Sequence, residues 1–179
     1  MKTILKSVVV SILMVGITGS ASAQKKGGGF DWDKVVYGGS ILPYFSTSGT
    51  FVTANPFVGY KVTDRFVPGI MLSYQYSSYK HSGYTDVYNL FGVSPFMRHS
   101  ILDNFFVQAE YEFLNGNFEI KPIYPEKIKF SEQNLLLGGG YYSPNGIFAQ
   151  VMYNVTWKGA NGRTIYASPW VIRAGFSIF

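Results

Sequence analysis

Strict two-residue alternation is the feature that most constrains this chain. Between Phe105 and Leu114, residues Phe105, Val107, Ala109, Tyr111 and Phe113 fall on one side, and Gln108, Glu110 and Glu112 on the other. A period of two sends successive side chains to opposite faces of a strand. The segment is therefore read as an extended strand with one apolar and one polar face. About ten residues is also the length that a tilted strand needs to cross a bilayer. The same pattern recurs along the chain from Lys34 onward.

The N-terminus has a different grammar. Lys2 and Lys6 flank the start of an apolar run, Val8 to Ile17, and Ala21-Ser22-Ala23 supplies small residues before Gln24. This order predicts a secretory signal peptide over 1–23, cleaved after Ala23. The apolar run is too short to serve as a spanning helix. Lys25, Lys26 and Gly27–Gly29 predict a flexible leader over 24–33, leaving 34–179 as one domain. Nothing in that domain is apolar for the length of a spanning helix, which argues against a helical membrane protein. The chain has no cysteine, so disulfides, thiolate metal sites, a thiol nucleophile and a lipid-modified cysteine are excluded. Cleavage would remove Lys2 and Lys6 and lower the formal charge from +5 to +3. So small a charge, without a basic cluster, gives no case for nucleic acid. Aromatic residues make up 18% and charged ones only 14%, which suits strands that show lipid an apolar band with aromatic girdles.

Eight strands are predicted, near Lys34–Phe45, Thr50–Lys61, Phe66–Tyr79, Val87–Arg98, Phe105–Phe118, Ser131–Tyr142, Ile147–Trp157 and Thr164–Phe179. Short turns follow the second, fourth and sixth strands, at Val62–Arg65, Ser100–Asn104 and Ser143–Gly146. The last of these, Ser-Pro-Asn-Gly, carries residues whose dihedrals suit a turn. Longer connections are expected on the other side, at Lys80–Asp86, Asn117–Phe130 and Lys158–Arg163, with Ser46–Gly49 a short exception. The resulting fold is all-β: an eight-stranded antiparallel up-and-down transmembrane barrel with short periplasmic turns and longer outer loops. In the third strand Phe66, Pro68, Ile70, Leu72, Tyr74 and Tyr76 are expected to face lipid, and Gly69, Ser73, Gln75 and Ser77 the lumen. A secreted sandwich or lipocalin-like barrel is the competing fold. Its apolar face points inward, and an eight-stranded interior has little room for so many aromatic side chains.

The chain resembles the small outer-membrane β-barrels of Gram-negative bacteria, the OmpX and OmpA-transmembrane-like group often filed as porin-family barrel domains. The resemblance covers about Val35 to Phe179 and rests on architecture and on the ending Arg173-Ala174-Gly175-Phe176-Ser177-Ile178-Phe179. It implies an outer-membrane location, contact with outer-membrane lipid, and an assembly signal at Phe176, Ile178 and Phe179 that the assembly machinery reads. The family's signal keeps apolar residues on the face of its terminal aromatic, whereas Ser177, Gly175 and Arg173 share the parity of Phe179. Either a bulge shifts the last residues or Ile178 takes that role. Members of this group are adhesion or defence proteins, anchors, narrow pores and a few lipid-modifying enzymes, and fold alone does not choose among them.

The polar faces carry Lys61, Arg98, Glu110, Glu112, Glu132 and Arg173. Charges at bilayer depth have to be paired or hydrated. Glu110 and Arg173 are each about six residues from the same end, so they are expected to meet across the barrel. An eight-stranded lumen is just wide enough for its side chains to fill it, so these six residues predict a charged plug. A gate that rearranges to pass small ions, making a narrow pore, is the alternative. Catalysis would need a nucleophile, a base and an orienting group within hydrogen-bond reach. The candidates His81, Ser82 and Asp86 lie in the second loop and His99-Ser100 beside a turn; neither set predicts an enzyme. No catalytic, cofactor or metal residues are assigned, and a lipid-modifying enzyme is the distant alternative. The outer loops are the expected surface for any partner. Among them Asn117–Phe130 is either a solvated hairpin or an extension of its two strands, whose protruding edge can recruit a partner strand. The tyrosines 74, 76, 79, 84 and 88 are expected in the outer aromatic girdle, and Gly138–Gly140 to mark tight packing or a bulge. The reading as a whole is a structural or surface-interaction protein without enzymatic activity.

Overall fold

The computed structural model describes residues 31–159, 165–166 and 168–178, with Tyr124 and Pro125 described by their backbone only. The signal peptide, most of the leader, the connection 160–164 and Phe179 lie outside the described residues. After a short 3-10 turn at Trp32–Lys34, the chain runs through β1 (Val35–Ser46), β2 (Gly49–Tyr60), β3 (Phe66–Lys80), β4 (Thr85–Ser100), β5 (Phe105–Lys121), β6 (Tyr124–Tyr142), β7 (Ile147–Asn154) and β8 (Trp170–Ile178). Each strand pairs with its neighbour in sequence and β8 returns to β1, closing an eight-stranded antiparallel barrel. The predicted all-β class, an eight-stranded antiparallel up-and-down barrel, is the observed one.

Alternation places the walls. Along β7, Ile147, Ala149, Val151 and Tyr153 are exposed while Phe148, Gln150, Met152 and Asn154 are buried. In β3, Ile70, Leu72 and Tyr74 face out and Val67, Met71 and Ser77 are buried. A single uninterrupted register between β7 and β8, from Ile147–Phe176 to Tyr153–Trp170, keeps Phe176 and Ile178 outward and Ser177 inward. Ile178, and no bulge, thus supplies the outward apolar position within the described part of β8.

The wall is uneven in height. β3 to β6 are 15, 16, 17 and 19 residues long, whereas β7 has 8 and β8 has 9. The stretch expected as the Asn117–Phe130 loop is mostly strand. Phe118 pairs with Ile128 and, past a register shift, Ile120 with Tyr124, leaving only Pro122 and Ile123 as the connection. Alternating Glu119-Ile120-Lys121 continues the two-residue period, so pairing continues above the level where β7 stops. The β3–β4 connection shrinks likewise to His81–Tyr84, and length at this rim comes from strands, with one long connection between Asn154 and Trp170.

Glycines shape the interior. A Cβ on Gly140 would lie 2.6 Å from Phe106 Cζ and 2.8 Å from Gln150 Cβ, and one on Gly139 would lie 2.6 Å from the Phe106 carbonyl oxygen. The Gly138–Gly140 run is therefore a site of close packing against β5 and β7, with no bulge in either register. At the turn end of the barrel this clearance admits aromatic side chains: Phe57, Phe96, Phe106, Tyr142 and Phe148 are buried there with Val36, Val67 and Met71. The aromatic residues are thus divided between the outer face and one end of the lumen. The argument that an eight-stranded interior cannot take them holds only for the wider count.

Candidate functional site: the filled lumen

Two regions fill the barrel, and one chain of hydrogen bonds links them. At the turn end, Arg98 of β4 is buried inside a cage of rings. Its Cζ is 4.5 Å from the centroid of Phe106, 5.1 Å from Phe57, 5.3 Å from Phe96 and Tyr142, and 5.8 Å from Phe148. Guanidinium over aromatic faces is attractive, more so when desolvated. Phe57 and Phe96 meet edge to face at 5.8 Å and 89°, a favoured ring geometry. Arg98 donates through Nη1 to the Tyr142 hydroxyl and through Nε to Gln108 Oε1 at 2.8 Å.

Gln108 carries the connection upward, donating from Nε2 to Glu110 Oε2 at 3.0 Å. Arg173 of β8 reaches across to two carboxylates of β5. Its Nη1 is 2.7 Å from Glu110 Oε2 and its Nη2 is 2.8 Å from Glu112 Oε1. Glu110 and Glu112 lie on the same face of β5 because they are two residues apart, and a forked guanidinium is the side chain suited to bridging two such acceptors. Glu112 also accepts from the Tyr166 hydroxyl at 2.9 and 2.8 Å and from Asn134 Nδ2 at 3.4 Å. Asn134 in turn accepts from Asn154 Nδ2 at 2.9 Å. Both carboxylates are about 99% buried. They share one guanidinium, with Arg98 joined only through neutral Gln108. Glu110 Oε1, Gln150 Oε1 and Ser94 Oγ are also sealed, and have no hydrogen-bond partner among the described residues.

Of the six residues expected in the lumen, the structure brings Glu110, Glu112 and Arg173 into direct contact and ties Arg98 to them through Gln108. Glu132 is half-buried nearer the rim, where its Oε2 accepts the Ile165 N–H at 2.9 Å and so holds the β7–β8 connection. Lys61 follows the end of β2 at the turn end, its N–H donating to Lys34 O at 2.8 Å. Sequence reasoning missed Tyr142 and Tyr166. Tyr142 shares parity with Gly138 and Gly140 on β6, which is the signal that would have placed it inward. Tyr166 lies in an irregular connection, where no periodicity exists to read.

The raised part of β3 to β6 holds the candidates His81, Ser82 and Asp86, whereas His99 and Ser100 end β4 at the turn end, where the Ser100 N–H donates to Arg65 O at 2.8 Å. His81 Nε2 is 3.2 Å from Asp86 Oδ2, and the His81 ring stacks on Tyr84 at 4.5 Å. Among the described residues no hydrogen bond joins Ser82 to this pair. Tyr88 stacks on Phe118 at 4.5 Å. Glu119 is held between Lys121 Nζ and Lys127 Nζ, each at 3.3 Å. Burial pushes its carboxyl up, but the hydrogen bonds and charges of the two lysines outweigh this and hold it below the usual carboxylate range. No family model matches this chain, and no curated protein is significantly similar to it.

Proposed function

We propose that the chain is an exported outer-membrane barrel of the OmpX-like kind, with a plugged lumen and a structural or surface-interaction role that involves no enzymatic step. The observation that carries this reading is the Glu110–Arg173–Glu112 bridge, which fills the lumen with side chains from opposite walls while apolar residues point outward around it. An outward face bearing Ile70, Leu72, Phe91, Phe113, Val151, Tyr153, Trp170 and Ile172 costs little in lipid and much in water. Closure of β8 onto β1 removes most of the open edge that hydrocarbon does not tolerate.

The surface for a partner is the raised sheet. From Tyr124 to Ser131, β6 pairs with β5 and with no strand on its other side among the described residues. An edge of this kind offers backbone donors and acceptors to an added strand. Localisation, the signal peptide and contact with the assembly machinery belong to the same proposal.

The test is ion flux across liposomes carrying the refolded protein, with Glu110→Ala beside it. A silent bilayer, from protein whose gel mobility shifts on boiling, is the expected result. Steady conductance that changes in the variant would assign the chain to narrow pores instead.

A further inference from the structure

The barrel closes through its shortest ladder. Tyr37, Gly38 and Gly39 of β1 pair with Ile178, Ser177 and Phe176 of β8, and no further pair joins these two strands among the described residues. Close backbone approach holds this part together: a Cβ on Gly38 would lie 2.8 Å from Ser177 Cα. Above Gly39 the residue types change. β1 continues as Ser40-Ile41-Leu42-Pro43-Tyr44-Phe45-Ser46, and β8 presents Trp170 and Ile172 outward.

Exposure shows what happens there. Every residue from Ile41 to Ser46 is exposed. Leu42 and Tyr44 have the inward parity of buried Val36, yet they are 60% and 62% exposed, against 0% for inward Met152 on β7. By the continued register Tyr44 is level with Val171 and Met152, so access to both faces at this height fits an open space beside the strand. Continuing the β1–β8 register puts Phe45 level with Trp170, and a Cβ on Gly175 would still lie 3.0 Å from Ser40 Cβ, so the opening runs along Trp170–Ala174, a little over half of nine-residue β8. That is about half the length of a strand's bilayer crossing, which is one leaflet. Pro43 has no N–H, so this edge carries one donor fewer. Backbone groups left at bilayer depth are tolerated where they line a hydrated cavity, and the polar lumen lies directly behind.

We propose that the β1–β8 seam above Gly39 is a lateral opening that admits the hydrocarbon chain of a membrane lipid between Ile41–Phe45 and Trp170–Ile172, into the rim half of the lumen. The proposal rests on the outer-membrane reading above. A lipid chain fits better than a protein strand. The five residues Ile41–Phe45 are apolar on both faces, which suits an occupant without hydrogen-bonding groups, and Pro43 interrupts the ladder that an added strand or a second copy would need.

The experiment uses the whole chain folded into phosphatidylcholine vesicles doped with a phospholipid bearing a diazirine on its acyl chain, with cross-links mapped by mass spectrometry. Labels on inward Leu42 and Tyr44, at yields comparable to outward Phe45, are expected. Labels on Ile70, Leu72 and Phe91 without any on Leu42 or Tyr44 would overturn the opening and leave the membrane reading standing. No label anywhere would remove both. Cross-linked dimers through β1 would hand the edge to a second copy and overturn the lipid occupant. A lipid-independent measurement uses engineered cysteine pairs. Tyr37→Cys with Ile178→Cys should oxidise to a disulfide, whereas Ile41→Cys with Ala174→Cys should stay reduced; equal oxidation of the two pairs would close the seam and end the proposal.

Discussion

Two arginines point into the same lumen, and the protein satisfies them by opposite chemistry. Arg98 is enclosed by five rings and bonded to a phenol and an amide, all neutral. Arg173, a few residues higher along the wall, is bridged to two carboxylates. The aromatic end would keep most of its packing if the charge of Arg98 were removed, because its partners carry no charge of their own. The polar region would not, because taking away Arg173 strands two buried anions. What a buried charge is worth thus depends on what its removal leaves behind.

Substitutions can break or sharpen that contrast. The largest effect is expected for Arg173→Ala, which leaves Glu110 and Glu112 unpaired and should cost about 3–5 kcal/mol, read as a lower urea midpoint of the refolded protein. Unchanged stability would remove the bridge from the account of the plug. Neutralising the cluster together, as Arg173→Met with Glu110→Gln and Glu112→Gln, should recover most of that loss, since well-packed replacement of a buried ion cluster is often neutral. Arg98→Met should cost less than Arg173→Ala, about 1–3 kcal/mol for the hydrogen bonds to Gln108 and Tyr142. A loss as large as that of Arg173→Ala would erase the difference between the two regions. Tyr166→Phe removes the hydroxyl that donates to Glu112 and should cost about 1–2 kcal/mol, with faster proteolysis of the β7–β8 connection as a second readout.

The smallest effect is one of pH. Glu119 has its carboxyl held down by Lys121 and Lys127, so its contribution is present above the ordinary carboxylate pKa and fades as pH falls through the lower, folded value. Protection from hydrogen exchange near Pro122, taken relative to the unstructured chain at each pH, should therefore fall below the usual carboxylate range, and Glu119→Gln should abolish that dependence. Protection that is flat with pH in the native chain would count against the lysine clasp.

Strand number, faces and the short turns were legible because a period of two survives in Phe105–Leu114 and Ile147–Asn154 whatever surrounds them. The meeting of Glu110 with Arg173 could be expected from parity and distance to the same end. Strand height could not, since nothing in 117–130 alone says whether its alternation stays paired. The ring cage around Arg98 was hidden for another reason. Inward and outward phenylalanines read alike, and only the glycines opposite them, Gly140 against Phe106 for instance, tell which side has room. Tyr166 gave no sign, because its position depends on a connection folding back onto Glu112.

The short β1–β8 seam has a consequence for how the barrel comes to be. Every other ladder joins strands that follow one another, so each can form as a local hairpin that closes little chain. Joining Tyr37 to Ile178 closes a loop of nearly the whole domain, the most entropically costly contact in the molecule. Such a contact forms only once the others are in place, so the last step of folding rests, among the described residues, on three residue pairs. The first breathing motion of the finished barrel should start from the same three.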